Sequence, residues 1–197
     1  VLIDLHCHTL PLSTCSALQA DQLVVLARER GLDGICLTEH DRAWPEADLR
    51  ALRNRNGFPI FSAVELTTDQ GHILAFGLDD PRAFSAIALE VHEAAKACGA
   101  LLFLAHPARD GLLKVTHDTV EFFMSVEAVN GSDSRLQNMA ASGLAHGFRL
   151  PGIGGSDAHT AAEVGRAATR FPVRVETQAE LLEALRAGTY EAVALEH

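Results

Sequence analysis

Short apolar runs alternate with stretches of helical period from one end of the chain to the other. Runs at 1–6, 34–38, 60–64, 72–77, 100–105, 124–129, 151–155 and 167–173 predict strands. Several are continuously apolar rather than alternating, as strands of a parallel sheet covered on both faces are. Between them the helix signals are local. Asp21 is placed to cap a helix that runs to about Arg30, with Gly31 at its end. Residues 83–98 predict a helix closed by Gly99, and 134–146 predict another. Thr177 with Glu180 forms a capping-box pattern for a helix that Gly188 stops. Residues 41–58 and 107–118 are less regular and predict loops or short helices.

Strand–helix alternation repeated about seven times predicts an α/β barrel or an open doubly wound sheet. A dinucleotide fold would carry a glycine-rich loop after its first strand. Here that place is taken by D4-L-H-C-H8, which favours a barrel with its site at the carboxyl ends of the strands.

Composition narrows the picture. At 197 residues the length suits one domain, read as 1–194, with Leu195-Glu196-His197 resembling the start of an expression tag. The net charge of −10 argues against a grip on long duplex nucleic acid, which requires a basic surface. No run of about 18 apolar residues is present, so no membrane span is expected. The chain enters its first strand without a leader pattern. Its cysteines at 7, 15, 36 and 98 lack paired spacing. Reduced thiols and a cytoplasmic setting are the expectation.

The polar residues supply the chemistry. In a strand, residues i and i+2 share a face, so His6 and His8, with Asp4 behind them, point one way and Cys7 the other. His40 ends the second strand, Glu65 the third, His106 the fifth, and Asp157 and His159 follow the seventh; His72 begins the fourth. In a barrel these ends form one rim. His92, His117 and His146 fall outside the pattern. Imidazoles mixed with carboxylates suit Zn²⁺, Mn²⁺ or Fe²⁺ rather than Ca²⁺. More candidates than the four a Zn²⁺ ion usually takes imply more than one divalent ion, with the centrally placed Glu65 able to bridge. Glu127 ends another strand and is placed to orient a ligand or a water. Glu39 and Asp41 point away from His40 and are read as solvated or structural.

The ordered set DLHCHT at 4–9, LTEHD at 37–41, AVEL at 63–66, GHILAFG at 71–77, AHP at 105–107 and GSDAHT at 155–160 resembles the PHP (polymerase and histidinol phosphatase) domain family over nearly the whole chain. The resemblance implies a distorted seven-stranded, TIM-barrel-like (β/α) barrel with a trinuclear metal centre, and free-standing members of that kind are mostly phosphoesterases. It further implies that His6, His8, Glu65 and Asp157 hold one ion, that Glu65 bridges to a second with His72 and His106, and that His40 and His159 hold a third. The family usually places a histidine or aspartate a few residues past HxHT. Here that stretch is L10-P-L-S-T-C-S16, and Cys15, as a thiolate, is the strong ligand available to complete the third set.

The implied reaction is hydrolysis of a phosphate mono- or diester by a metal-activated hydroxide, with Glu65, Asp157 and His159 as the catalytic side chains. Arg109, Arg135 and Arg166 are the basic residues placed to hold the phosphate. The expected partner is a small phosphorylated molecule, including a nucleotide or an oligonucleotide end. Two rival readings remain: a non-catalytic metal-binding module, and an amidohydrolase-like metallohydrolase, which also opens on HxH.

Overall fold

The computed structural model describes residues 1–109, 115 and 120–195. His117, most of the 107–118 stretch and the last two residues of the tag-like ending lie outside them. Nine strands form one sheet: β1 (Leu2–Cys7), β2 (Gly34–His40), β3 (Ile60–Thr68), β4 (Gly71–Phe76), β5 (Leu101–Leu104), β6 (Ser125–Asn130), β7 (Ile153–Gly155), β8 (Ala167–Arg170) and β9 (Glu191–Ala194). Among the described residues, five α-helices of ten or eleven residues lie between them: α1 (Ala20–Glu29), α2 (Glu46–Asn56), α3 (Ala88–Cys98), α4 (Arg135–Ala145) and α5 (Gln178–Ala187). Among the described residues no helix is long and apolar enough to cross a membrane.

The order β7-β6-β5-β4-β3-β2-β1-β8-β9 curls into a nearly closed barrel. β1, β2 and β3 are parallel, as are β5, β6 and β7. β4 runs against both of its neighbours. Closure falls on β1, which is shared along its length. Its first half pairs antiparallel with β8 through Leu2–Arg170 and Ile3–Thr169. Its second half meets the chain just past β7: Cys7 bridges Ala158, Asp157 N donates to His6 O at 2.8 Å, and His8 N donates to Ala158 O at 3.1 Å. Glycine permits this seam. A Cβ on Gly155 would lie 2.4 Å from His6 Cβ and 2.6 Å from His6 N.

A bulge in β1 sets the direction of the histidines. Asp4 pairs with Ile35 but Cys7 with Leu37, so β1 carries one extra residue between them. Ile3 and Leu5 pack in the cluster that fills the barrel with Phe61, Leu74, Phe103 and Ile153. After the bulge the alternation restarts, and Cys7 joins the outer cluster against Leu23 and Val24 of α1 and Leu49 of α2. Asp4 therefore does not lie beneath the rings as regular alternation predicts. Its buried Oδ1 accepts from the backbone N–H groups of His6 and Ser156, at 3.2 and 2.8 Å.

The strand–helix alternation fails between β3 and β4 as well as between β7 and β8, and the first break has a consequence for the site. β3 and β4 form a hairpin with Asp69 and Gln70 at its tip. The start of β4 thus lies at the rim where the parallel strands end, which explains why His72 begins its strand. Two further elements were not legible. α2 buries only Leu49 and Leu52, too little apolar surface to mark a period. β9 is short and half exposed. Asp21 is not a cap: Gln19 holds that position, and Asp21 instead accepts from Arg55 and Asn56 of α2. The helix ends at Gly31, Gly57, Gly99 and Gly188 all take positive φ, and both Ser134–Gln137 and Thr177–Glu180 form capping boxes.

The seam generates a paired prediction. Gly155→Ala must push β1 away from β7 and is expected to cost about 1–3 kcal/mol or more in urea denaturation. Gly143→Ala, in α4 with no atom within 4 Å of the new Cβ, is expected to gain about 0.5–1 kcal/mol.

Candidate metal centre

Seven side chains from the ends of β1, β2, β5 and β7 and the start of β4 gather around one buried carboxylate, Glu65 of β3. Glu65 is 1% exposed. Its Oε2 lies 3.4 Å from His6 Nε2, 3.2 Å from His8 Nε2 and 3.0 Å from His40 Nδ1. Its Oε1 lies 2.9 Å from His72 Nδ1 and 3.0 Å from His106 Nε2. Asp157 Oδ1 adds 3.5 Å and 3.3 Å contacts to His6 Nε2 and His8 Nε2. His40 and His159 stack on the His8 ring, with centroids 4.2 and 4.3 Å away.

These spacings fit cations. His6 Nε2 and His8 Nε2 point at each other across 3.0 Å. With the Glu65 Oε2 and Asp157 Oδ1 contacts, five edges of the four-atom set span 3.0–3.5 Å. Tetrahedral ligands at 2.0–2.1 Å from one ion are about 3.3 Å apart. Glu65 Oε2 is buried with no hydrogen-bond donor, the condition of an acceptor whose partner is an ion. Three sets of donors lie within 4.8 Å of one another: His6–His8–Asp157, His40–Glu65–His72 and His8–His40–His159. An imidazole and carboxylate set of this kind suits Zn²⁺, Mn²⁺ or Fe²⁺.

The charges are coupled. Burial pushes Glu65 up, but His6, His106 and His40 hold it well below the ordinary carboxylate range. Burial opposes charge on His6, yet Glu127, Asp157 and Glu65 raise its pKa well above the usual value. Asp157 is likewise held low by His6 and His8 against its burial. The floor of the site is buried, whereas His40, His72 and His159 keep 31%, 30% and 27% of their side chains exposed and form its mouth.

Behind the donors lies a layer of fixed partners. Glu127 Oε1 accepts from His6 Nδ1 at 3.0 Å, setting which ring nitrogen faces inward. Its Oε2 accepts from His106 N and Asn130 Nδ2, both at 2.9 Å. Glu39 is fully buried rather than solvated, and it accepts from Thr9 N and, at 2.8 Å, from Trp44 Nε1. Asp41 takes a positive φ and accepts from Thr67 N at 2.9 Å, pinning the β2–β3 rim. His106 and Asp157 also take positive φ, at 28° and 53°; strained backbone of this kind gathers at working sites.

Three partners escaped the sequence reading. Ser13 is buried, with Oγ 3.3 Å from His8 Nδ1 and accepting from His40 N at 3.3 Å. Asn130 and Asp133 bind Arg109. The only sequence signal for them is the N-G-S-D turn after β6, a pattern common to ordinary loops.

The Ser13–Ser16 turn also decides where Cys15 goes. Ser16 Oγ donates to His8 O and His159 O, and both serines face inward. Cys15 between them is exposed and joins none of the three donor sets. Burial and the carboxylates of Glu39, Glu65 and Asp157 push its thiol up. Ser13, not Cys15, lies beside His8 and His40. Arg135 and Arg166 line a cavity of about 1020 Å³ with Arg30, Asn138 and Met139, between α4 and the end of β9. Arg109 instead reaches the centre, donating from Nη1 to Asp157 Oδ2 at 2.7 Å.

Comparison with known proteins agrees with this picture. Residues 135–190 match the model of a PHP-associated family, PHP_C; the matched span supplies Asp157 and His159. A two-domain protein from Bacteroides vulgatus, named for a PHP-like metal-dependent phosphoesterase, superposes with a TM-score of 0.73 at 22% identity. The alignment covers 98% of this chain, which spans only 64% of that protein. A Bifidobacterium adolescentis protein named as a metal-dependent phosphoesterase candidate gives 0.65 at 18% identity, covering 94% and 96% of the two chains. An amidohydrolase from Chromobacterium violaceum, with bound sulfate and no metal, gives 0.68 at 18%, covering 98% and 97%. The chain matches no curated protein. The PHP-associated match covers somewhat more than a quarter of the chain, and the solved structures share its barrel fold.

The geometry predicts a split between two variants. Glu65→Gln removes the charge that five imidazoles face and is expected to lower metal affinity on the order of 100-fold. Cys15→Ser should retain the unmutated metal content. Plasma mass spectrometry after gel filtration reads both.

Proposed function

We propose that the protein is a metal-dependent phosphoesterase acting on a small phosphate mono- or diester. The observation that carries this reading is Glu65, buried with each oxygen turned to a different group of imidazoles. In this reading its Oε2, with His6, His8 and Asp157, would hold one divalent ion, and its Oε1, with His72 and His106, a second. His40 and His159, at the mouth, would hold a third or face the substrate. When bound, such ions would lower the pKa of a water to about 7 and offset charge building on phosphate oxygens.

The chain's own residues do the rest. Glu127 fixes the His6 tautomer through Nδ1, so Nε2 is the nitrogen presented to the centre. His159 Nδ1 donates to Asp157 O at 3.0 Å. Its Nε2 is then the basic nitrogen, suited to holding a cation or taking up a proton. The mouth formed by His40, His72 and His159 is where a substrate would enter, and the buried floor strengthens each charge interaction there. The overall charge of −10 favours a small anion drawn in by bound cations over a polyanion gripped along its length.

Phosphate release from a panel of monoesters, diesters and nucleotides, with matched amide and lactone substrates, tests the proposal. Metal-loaded protein is expected to release phosphate. Chelation should cut the rate at least about 100-fold, and metal should restore it. Turnover of amides or lactones alone would make it an amidohydrolase, and full loading without any turnover would make it a binding module.

A further inference from the structure

Arg109 follows the AHP motif at the lip of the centre, where a guanidinium would ordinarily be read as a phosphate clamp. Its contacts say otherwise. Nη1 donates to Asp157 Oδ2 at 2.7 Å, Nη2 to Asn130 Oδ1 at 2.9 Å, and Nε to Asp133 Oδ1 at 2.7 Å. All three nitrogens are directed at side chains of the protein, and two of those acceptors are carboxylates 1% and 4% exposed. Three of the five guanidinium N–H donors are thus committed to the protein, and one each on Nη1 and Nη2 remains.

We infer that Arg109 is a positioning residue that holds Asp157 with one oxygen turned to the metal centre. Asp157 Oδ1 faces His6 and His8, and Oδ2 is taken by Arg109. A carboxylate free to rotate would offer both oxygens to a cation; the guanidinium fork removes that choice. The fork is itself fixed. Arg109 N donates to His106 O at 2.9 Å, closing the turn after β5. Asn130 is fully buried, and its Oδ1 also accepts from Ser132 N at 2.8 Å.

Asn130 extends the arrangement to the other side of the donor set. Its Nδ2 donates to Glu127 Oε2 at 2.9 Å and approaches Asp157 Oδ2 at 3.4 Å. Glu127 orients His6, and Arg109 orients Asp157, so Asn130 ties together the supports of two facing ligands. A backbone requirement stands behind it. A Cβ on Gly131 would lie 2.7 Å from Arg166 Cβ and 2.9 Å from Ser156 O, so the turn that delivers Asn130 and Asp133 admits only glycine there.

The inference rests on the metal reading given under the proposed function, but not on the reaction. The test therefore reads metal affinity directly, by competition with a chromophoric chelator, beside KM and kcat at saturating metal. Arg109→Ala is expected to weaken metal binding about 10–100-fold, with the KM of any turned-over ester moving less than about threefold. Arg109→Lys keeps the charge without the fork and should still bind metal several-fold more weakly than the unmutated protein. Asn130→Ala should weaken metal binding too, and the double variant should lose less than the product of the two single losses.

Unchanged metal affinity in both Arg109 variants would overturn the inference, and so would a KM raised tenfold or more with affinity intact, which would make Arg109 a phosphate clamp. Urea denaturation identifies a variant that fails to fold; should Arg109→Ala do so, Arg109→Lys and Asn130→Ala decide. Metal binding without phosphate-ester hydrolysis would end the phosphoesterase reading and leave the affinity comparison standing.

Discussion

A carboxylate buried in the interior of a barrel costs several kcal/mol unless its charge is met, and Glu65 is met from five sides. Its oxygens lie within 3.4 Å of imidazole nitrogens from β1, β2, β4 and the end of β5. Protons can serve this balance only in part, because rings packed this closely repel one another once charged: burial and then the neighbouring His8 lower the pKa of His159. A bound cation would resolve the conflict, since it would take lone pairs from several rings and charge from the carboxylate together. The rest of the architecture can be understood as what is needed to keep those rings in place.

The seam between β1 and the chain past β7 is the tightest of these requirements. It brings His6 and His8 against Asp157, and it closes only because residue 155 has no side chain. The bulge in β1 turns both histidines inward while keeping Leu5 in the barrel and Cys7 in the outer layer. The reversed strand β4 adds His72 at the same rim. Backbone, not side-chain chemistry, makes these three placements, and each concerns a single residue.

Support for the centre is graded outward. The donors are held by Glu127, Ser13 and Arg109, and those in turn by Asn130, Asp133 and the Ser13–Ser16 turn. The fold it shares with proteins named as phosphoesterases and with an amidohydrolase does not choose among reactions, because a barrel rim accommodates many chemistries. The PHP-associated match spans α4 to Tyr190 and supplies only Asp157 and His159; the other six converging donors come from the preceding part of the chain.

The sequence by itself determined the strands that carry the site, the glycine helix ends, and the eight donors that meet, because apolar runs and strand-end histidines are local signals. It also marked Glu127 as a support. It did not reveal that β4 is reversed, that Asp4 serves the backbone rather than a ring, or that Ser13 takes the inward place offered to Cys15. Nor did it show that Arg109 spends its nitrogens on Asp157, Asn130 and Asp133, or that Arg135 and Arg166 face a separate cavity. Most of those facts depend on which atoms meet across distant chain: Ser13 and His40 are 27 residues apart, and Arg109 is 21, 24 and 48 residues from Asn130, Asp133 and Asp157. A side chain's direction after a bulge or inside a tight turn follows from the partners the whole fold supplies, and only the tertiary structure decided it.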